Sequence, residues 1–336
     1  MIPITQLCGI PGHDCKEMFR QLRLKPLWLA VGSRVKLQPK WKMLEIKLIL
    51  CPVDFSEFSV RAYRHALSVA QHYRAKLVAL HIVELWRYPS LSFVPSGTAY
   101  DETCQVLFEK GEQELQELVR SNTLGKTLPE LAVEQGTAAD TILSVAARLR
   151  ADGIVMGTHG RRGYDRMMLG SVAERVMRNA PCPVLVVNKP PDDLSAASNE
   201  EGQEHRLYRI LFCTDFSENS ERALNYAISA TTEYDGELTL LHVLEEKPAK
   251  THQAIAAARQ QLERLIPAEV RKTLNSRFAV RVGKPYEQII QFAKDAHPDI
   301  VVVGVRGRGS LDLAVFGSTT YRVIQLGPCP VLAVHI

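Results

Sequence analysis

The sequence contains no apolar run near the roughly 18 residues that a membrane-crossing helix needs, so no membrane span is expected. It lacks an early charged stretch followed by an apolar core and a small-residue cleavage site, and no secretory leader is read at its N-terminus. A CxxC pair is also missing. The seven cysteines (Cys8, Cys15, Cys51, Cys104, Cys182, Cys213 and Cys329) form an odd set, which favours reduced thiols in a cytoplasm over a disulfide framework. Cys8, His13 and Cys15 are too few and too poorly patterned for a metal cluster, and no protein metal site is expected. Strong net charge is absent too: 41 Lys and Arg stand against 37 Asp and Glu, for +4. Residues 1–42 alone carry +6, which leaves −2 for the rest. The basic balance therefore gives no indication of a nucleic-acid face on the folded body, and no nucleic-acid partner is expected.

Dedicated catalytic signatures are missing as well. LGKT at 124–127 resembles the end of a phosphate-binding P-loop, but Arg120 stands where that pattern needs glycine. Gly307-Arg308-Gly309 does not continue into a dinucleotide fingerprint, and it follows a fourth strand instead of a first. There is no nucleophile elbow or kinase set, and none of the SGGxDS, HIGH and KMSKS motifs of adenylate-forming chemistry.

What the chain has is length and repetition. Its 336 residues, 46% apolar and 23% charged, suit two globular domains. LILCPVDFSE at 48–57 returns as ILFCTDFSE at 210–218, and ALHIVE at 79–84 as LLHVLE at 240–245. GIVMGTHGRRG at 153–163 returns as IVVVGVRGRGS at 300–310, and APCPVLVV at 180–187 as GPCPVLAV at 327–334. The offset falls from 161 to 147 residues, so the second copy is 14 residues shorter, and the loss is assigned between the second strand and the following helix. Within each copy, apolar β-rich runs alternate with helical patterns near 57–73, 103–121, 138–150 and 171–179. Strands this apolar are buried on both faces, so each copy is expected to be a parallel, doubly wound α/β unit binding its ligand at the strand carboxyl edge. Residues 189–205 are polar and aperiodic and are read as a linker.

The chemistry-bearing pattern is G-x2-G-x9-G-S, present twice: Gly157, Gly160, Gly170 and Ser171, then Gly304, Gly307, Gly317 and Ser318. Glycines let backbone N–H groups approach an anion, and a helix N-terminus adds unpaired donors and a positive dipole end. The two serines can serve a phosphate or the first turn of their own helix. Asp54 and Asp215 end the first strands, placed to bind a ribose or base or to cap the next helix. His81 and His242, among apolar neighbours, read as core or edge histidines. Arg161, Arg162, Arg166, Arg306 and Arg308 suit phosphate contact or a solvated loop equally.

With PVDFSE/CTDFSE, the doubled glycine spacing and CPVLVV/CPVLAV, the chain resembles a tandem universal stress protein over about 44–188 and 206–336. The resemblance implies two five-stranded parallel sheets flanked by helices, of the adenine nucleotide alpha hydrolase-like, Rossmann-like type. It implies pairing through the last strands, within the chain or across a homodimer. It implies ATP binding, with Mg2+ or Mn2+, in the subgroup that keeps the glycines. By position, Asp54 and Asp215 would meet the adenosine part, Ile82 and Met156, or Val243 and Val303, the adenine, and the glycine–serine sets the ribose and phosphates. Val172 follows the first serine where the second copy has Thr319. A regulator with at most slow ATP hydrolysis is the expected function, against a nucleotide-independent scaffold or, third, a dedicated ATP-hydrolysing or adenylate-forming enzyme.

Residues 1–42 have no counterpart in the second copy, and Pro3, Pro11, Pro26 and Pro39 interrupt any long helix. They are expected to be dispensable, either a disordered tail or an extension upstream of a true start at Met43. A short amphipathic arm around Met18–Leu24, for a membrane surface or a partner, is the alternative.

Overall fold

The structure, a computed structural model, describes residues 43–88, 97–122, 128–159, 169–188, 207–245, 252–305 and 317–334. The N-terminal extension and the linker therefore lie outside the described residues. The first copy runs β1 (Leu48–Val53), α1 (Glu57–Tyr73), β2 (Lys76–Val83), a 3-10 turn (Leu85–Arg87), α2 (Thr98–Asn122), β3 (Glu130–Gln135), α3 (Ala138–Leu149), β4 (Gly153–Gly157), α4 (Ser171–Asn179) and β5 (Val184–Val187). The second repeats it: β6 (Arg209–Thr214), α5 (Glu218–Glu233), β7 (Glu237–Leu244), α6 (His252–Leu265), the short α7 (Ala268–Arg271), β8 (Asn275–Val282), α8 (Pro285–Ala296), β9 (Ile300–Gly304), α9 (Ser318–Leu326) and β10 (Val331–Val334).

The sequence pattern explains these elements. The inner strands, such as VLVV of β5 and IVVVG of β9, are nearly continuous buried aliphatic runs, as sheets covered on both faces require. Ser56 and Ser217 cap α1 and α5, each accepting from the amide three residues on, at 3.3 Å. Arg74 and Arg150 end α1 and α3 in the left-handed conformation. Asp152 accepts from the amides of Lys47 and Leu48, at 2.7 and 2.9 Å, and ties the start of β1 to the start of β4. Asp299 does the same for Tyr208 and Arg209, at 2.9 and 2.7 Å. The helix after β2 starts earlier than its periodicity suggests: Thr98–Asp101 are already helical. Part of the length difference between copies is therefore extra helix as well as loop.

All ten described strands join one sheet in the order β3-β2-β1-β4-β5-β10-β9-β6-β7-β8. Each half is parallel, and the order reverses direction between β1 and β4, and again between β6 and β9. Such switch points open a crevice at the strand carboxyl ends. The halves meet at β5 and β10, which pair antiparallel as Val186↔Val331, Leu185↔Leu332 and Val184↔Ala333. Val184, Val186 and Ala333 are fully buried there. Pairing the last strands with each other removes two apolar edges that would otherwise invite aggregation.

Further contacts secure the seam. The Asn188 side-chain amide donates to the Gly327 carbonyl at 2.6 Å, and the Leu44 amide donates to Ser229 Oγ at 2.9 Å. The rings of His72 and Tyr234 stack with centroids 3.9 Å apart, bringing the C-terminal ends of α1 and α5 together.

Candidate functional site

At the switch point of the first copy, β1 ends in a turn built around Asp54. Its Oδ1 accepts from the Ser56 amide at 3.1 Å and from Ser56 Oγ at 2.6 Å. The helix cap is therefore Ser56, and Asp54 orients the capping hydroxyl. Phe55, between them, sits in the left-handed region at φ 63°, which costs a non-glycine residue energy and persists only where its surroundings hold it. The turn carries the Phe55 ring to within 4.5 Å of the His81 ring, centroid to centroid. His81 Nδ1 lies 2.8 Å from the Val53 carbonyl. His81 is thus a satisfied edge histidine that buttresses the Asp54 turn.

A cavity of about 640 Å³ opens at this edge, within the usual range for small-molecule sites. Seven of the eight first-copy residues assigned to nucleotide binding line it together: Asp54, Ile82, Met156, Gly157, Gly170, Ser171 and Val172. Gly160, the eighth, lies outside the described residues, as do Gly307 and the five loop arginines. In the second copy, Asp215 follows β6, Val243 lies in β7, and Val303 and Gly304 end β9. Gly317, Ser318 and Thr319 form the junction into α9.

The described glycines have packing reasons of their own. A Cβ on Gly157 would stand 2.8 Å from Phe58 Cβ and 2.9 Å from its carbonyl carbon. On Gly304 it would stand 3.0 Å from the backbone of Asn219 and Ser220. These two glycines let α1 and α5 lie close against the strand ends. Gly170 donates its amide to the Thr158 carbonyl at 2.9 Å, and Gly317 donates to that of Val305 at 3.2 Å. The third glycine of each set thereby closes its loop and returns the next helix to the sheet edge.

Gly170 and Gly317 are the N-caps of α4 and α9, with no side-chain cap. Ser171 and Ser318 are the first helical residues, so neither serves as the cap. The first-turn amides of α4 consequently lack intrahelical acceptors beside the cavity. The other helix start on the cavity, at Thr137–Ala139, is occupied: Glu84 Oε1 accepts from the Ala138 amide at 2.9 Å, and Glu84 pairs with Arg87. An incoming anion thus meets an open, positive helix end at α4 and a carboxylate already in place at α3.

Sequence reasoning missed the cavity mouth. Trp86, Arg87 and Tyr88 line it from the turn after β2, and Leu107 and Lys110 line it from α2. The aromatic pair within an otherwise Pro/Ser-rich loop was the available signal. It also missed Tyr321, whose Oη accepts from the Leu169 amide at 3.3 Å, linking the start of α9 to the residue before Gly170. No nucleophile is poised among the buried thiols. Burial pushes Cys182 and Cys329 up to about 12, and Cys51 and Cys213 further still, so all four stay protonated at neutral pH.

Comparison with known proteins supplies the relatives of this architecture. The model of the Universal stress protein family matches residues 45–188 and 207–335. A universal stress protein of Methanocaldococcus jannaschii is 35% identical over 144 residues, covering 43% of this chain and 83% of its own. A universal stress protein of Mycolicibacterium smegmatis is 26% identical over 306 residues, 85% of this chain and 96% of its own. The crystal structure of a universal stress protein from Archaeoglobus fulgidus superposes with a TM-score of 0.60 at 20% identity, over 86% of this chain and 98% of that one.

Proposed function

The chain belongs to the universal stress protein family, and from that premise we propose that it binds adenine nucleotide at the switch point of each copy and acts as a nucleotide-responsive regulator in the stress response. The observation that carries the reading is the meeting of Asp54, Ile82, Met156 and the α4 N-terminus on one cavity. Each supplies what a nucleoside phosphate needs: a carboxylate for ribose or base, an apolar wall for adenine, and an uncapped helix start for phosphates. We assign Gly157, Gly170, Ser171 and Val172, with Gly160 outside the described residues, to the ribose and phosphates. By the repeat we assign Gly304, Gly317, Ser318 and Thr319, with Gly307 outside the described residues, to the same role in the second copy, and Asp215, Val243 and Val303 to the adenosine.

Among the described residues no three His, Cys, Asp or Glu side chains converge as a metal site. A Mg2+ or Mn2+ arriving with ATP would be bound to its phosphate oxygens. On the cavity wall Thr158 Oγ1 lies 3.0 Å from His159 Nδ1, a contact between adjacent residues with the threonine buried, and turnover of bound ATP is expected to be slow. No helix among them is long and apolar enough to cross a membrane. We assign the protein to the cytoplasm on its five described cysteines, which are free thiols.

A nucleotide-independent scaffold is the second reading. It is favoured by the packing role of Gly157, Gly170, Gly304 and Gly317, which gives these residues a purpose without any ligand. Mass spectrometry of small molecules released on denaturing the purified chain separates the two. Adenine nucleotide is expected; a ligand-free chain that also fails to take up ATP would leave the scaffold.

A further inference from the structure

Building on the nucleotide reading of the first-copy cavity, we propose that Trp86 is a specificity-determining residue that stacks on the purine at the cavity mouth, so that the first copy binds adenine nucleotide more tightly than the second. Trp86 lies in the 3-10 turn directly after β2, whose Ile82 forms part of the cavity wall. Its indole lines the cavity yet remains 62% exposed. The Arg87 guanidinium stands 5.3 Å from the ring centroid, Arg87 pairs with the buried Glu84, and Glu84 holds the start of α3. A flat, exposed aromatic face on the rim of a ligand-sized cavity suits another flat π-system.

Charge decides which end of the ligand reaches it. The open helix start of α4 draws the phosphates, whereas on the Trp86 side Glu84 already occupies the α3 start and Arg87 is engaged in its ion pair with Glu84. The base therefore points toward Ile82 and Trp86. At the 161-residue offset that aligns Glu84 with Glu245, the second copy has Lys247, Pro248 and Ala249 in place of Trp86, Arg87 and Tyr88. It carries no aromatic side chain at those three positions.

The test is calorimetric titration of the full-length, nucleotide-stripped chain with ATP and with inorganic tripolyphosphate, which has no base. In the wild type, ATP should resolve two affinities about tenfold apart, the order of one base–aromatic stack. Trp86→Ala should weaken the tighter site about tenfold and leave tripolyphosphate binding unchanged. Trp86→Phe should retain most of the ATP affinity and abolish the part of the ligand-induced fluorescence quench that belongs to Trp86. Unchanged ATP affinity in Trp86→Ala, or equal losses for ATP and tripolyphosphate, would overturn the stacking role while leaving the nucleotide reading intact. Absence of ATP binding in the wild type would overturn that reading and this inference with it.

Discussion

The two copies agree most closely where the fold makes its turn and diverge where a ligand would enter. In the second copy Asp215 Oδ1 accepts from the Ser217 amide and hydroxyl at 3.0 and 2.6 Å, and Phe216 sits at φ 62°. His242 Nδ1 lies 2.8 Å from the Thr214 carbonyl, with its ring 4.3 Å from that of Phe216. These values repeat those around Asp54 almost atom for atom. At the mouth, by contrast, the first copy has Trp86, Arg87 and Tyr88 and a 25-residue α2, whereas α6 has 14 residues. The 147-residue offset places Ala258 opposite Gly111, whose Cβ would stand 2.9 Å from the His81 ring. The strained Asp-Phe-Ser turn therefore belongs to the shared scaffold, and differences in ligand handling are expected to arise at the mouth.

The strongest way to break this comparison is at the seam that joins the copies. Val186 and Ala333 occupy matching positions, both fully buried in the β5–β10 pair. Val186→Asp and Ala333→Asp each bury a charge with no partner, at a cost of several kcal/mol. Light scattering and thermal melts should show aggregation or loss of the cooperative transition in both. Next come the strand-end glycines. Gly157→Ala and Gly304→Ala force a methyl against backbone, for about 1–3 kcal/mol of lost stability in urea unfolding. The contact at Gly157 is the closer one, 2.8 Å against 3.0 Å, so the first copy should lose more.

Alkaline pH acts on both copies alike. Burial raises the Cys182 and Cys329 thiols from 9.0 to about 12. The unfolded chain then releases these protons at lower pH than the folded one. The stabilisation from neutral thiols is complete below pH 9 and declines as pH rises toward 12, by up to about 1.4 kcal/mol per unit for each thiol. Chemical denaturation at pH 8 and pH 10.5 should show that loss, and the Cys182→Ala/Cys329→Ala variant should show a shallower slope.

Asp54→Asn and Asp215→Asn keep the turn's shape and remove its charge. Each should weaken ATP at its own copy by about tenfold, the value of one charged hydrogen bond, while the other copy is unaffected in a two-site titration. Tyr321→Phe should have the smallest effect. It deletes the one hydroxyl seen to join α9 to Leu169, costs at most about 1 kcal/mol, and should loosen ATP at the first copy but not the second.

Much of the scaffold was legible because it rests on local signals. Strand runs such as LILCPV, the Ser56 and Ser217 caps and the doubled CPV segments have few alternative readings. The pairing of Val184–Val187 with Val331–Val334 followed from the cost of two bare apolar edges. Seven residues assigned by position from the family resemblance line the first cavity. What stayed hidden depends on distant neighbours. The tight approach of Phe58 to Gly157 is set by helix packing, and the Tyr321–Leu169 bond spans 152 residues. Trp86 stood in a segment read only as a variable loop, where sequence alone could not place its ring beside the cavity.

The most direct measurement is the stoichiometry of ATP binding to the full chain, compared between wild type, Ser171→Asp and Ser318→Asp. An aspartate in the first turn of a helix suits the helix dipole, so both variants should fold and melt as the wild type does. The same carboxylate would stand where the account puts the phosphates and repel them. Two equivalents for the wild type and one for each variant is the predicted result. Two equivalents in all three proteins, or none in the wild type, would contradict it.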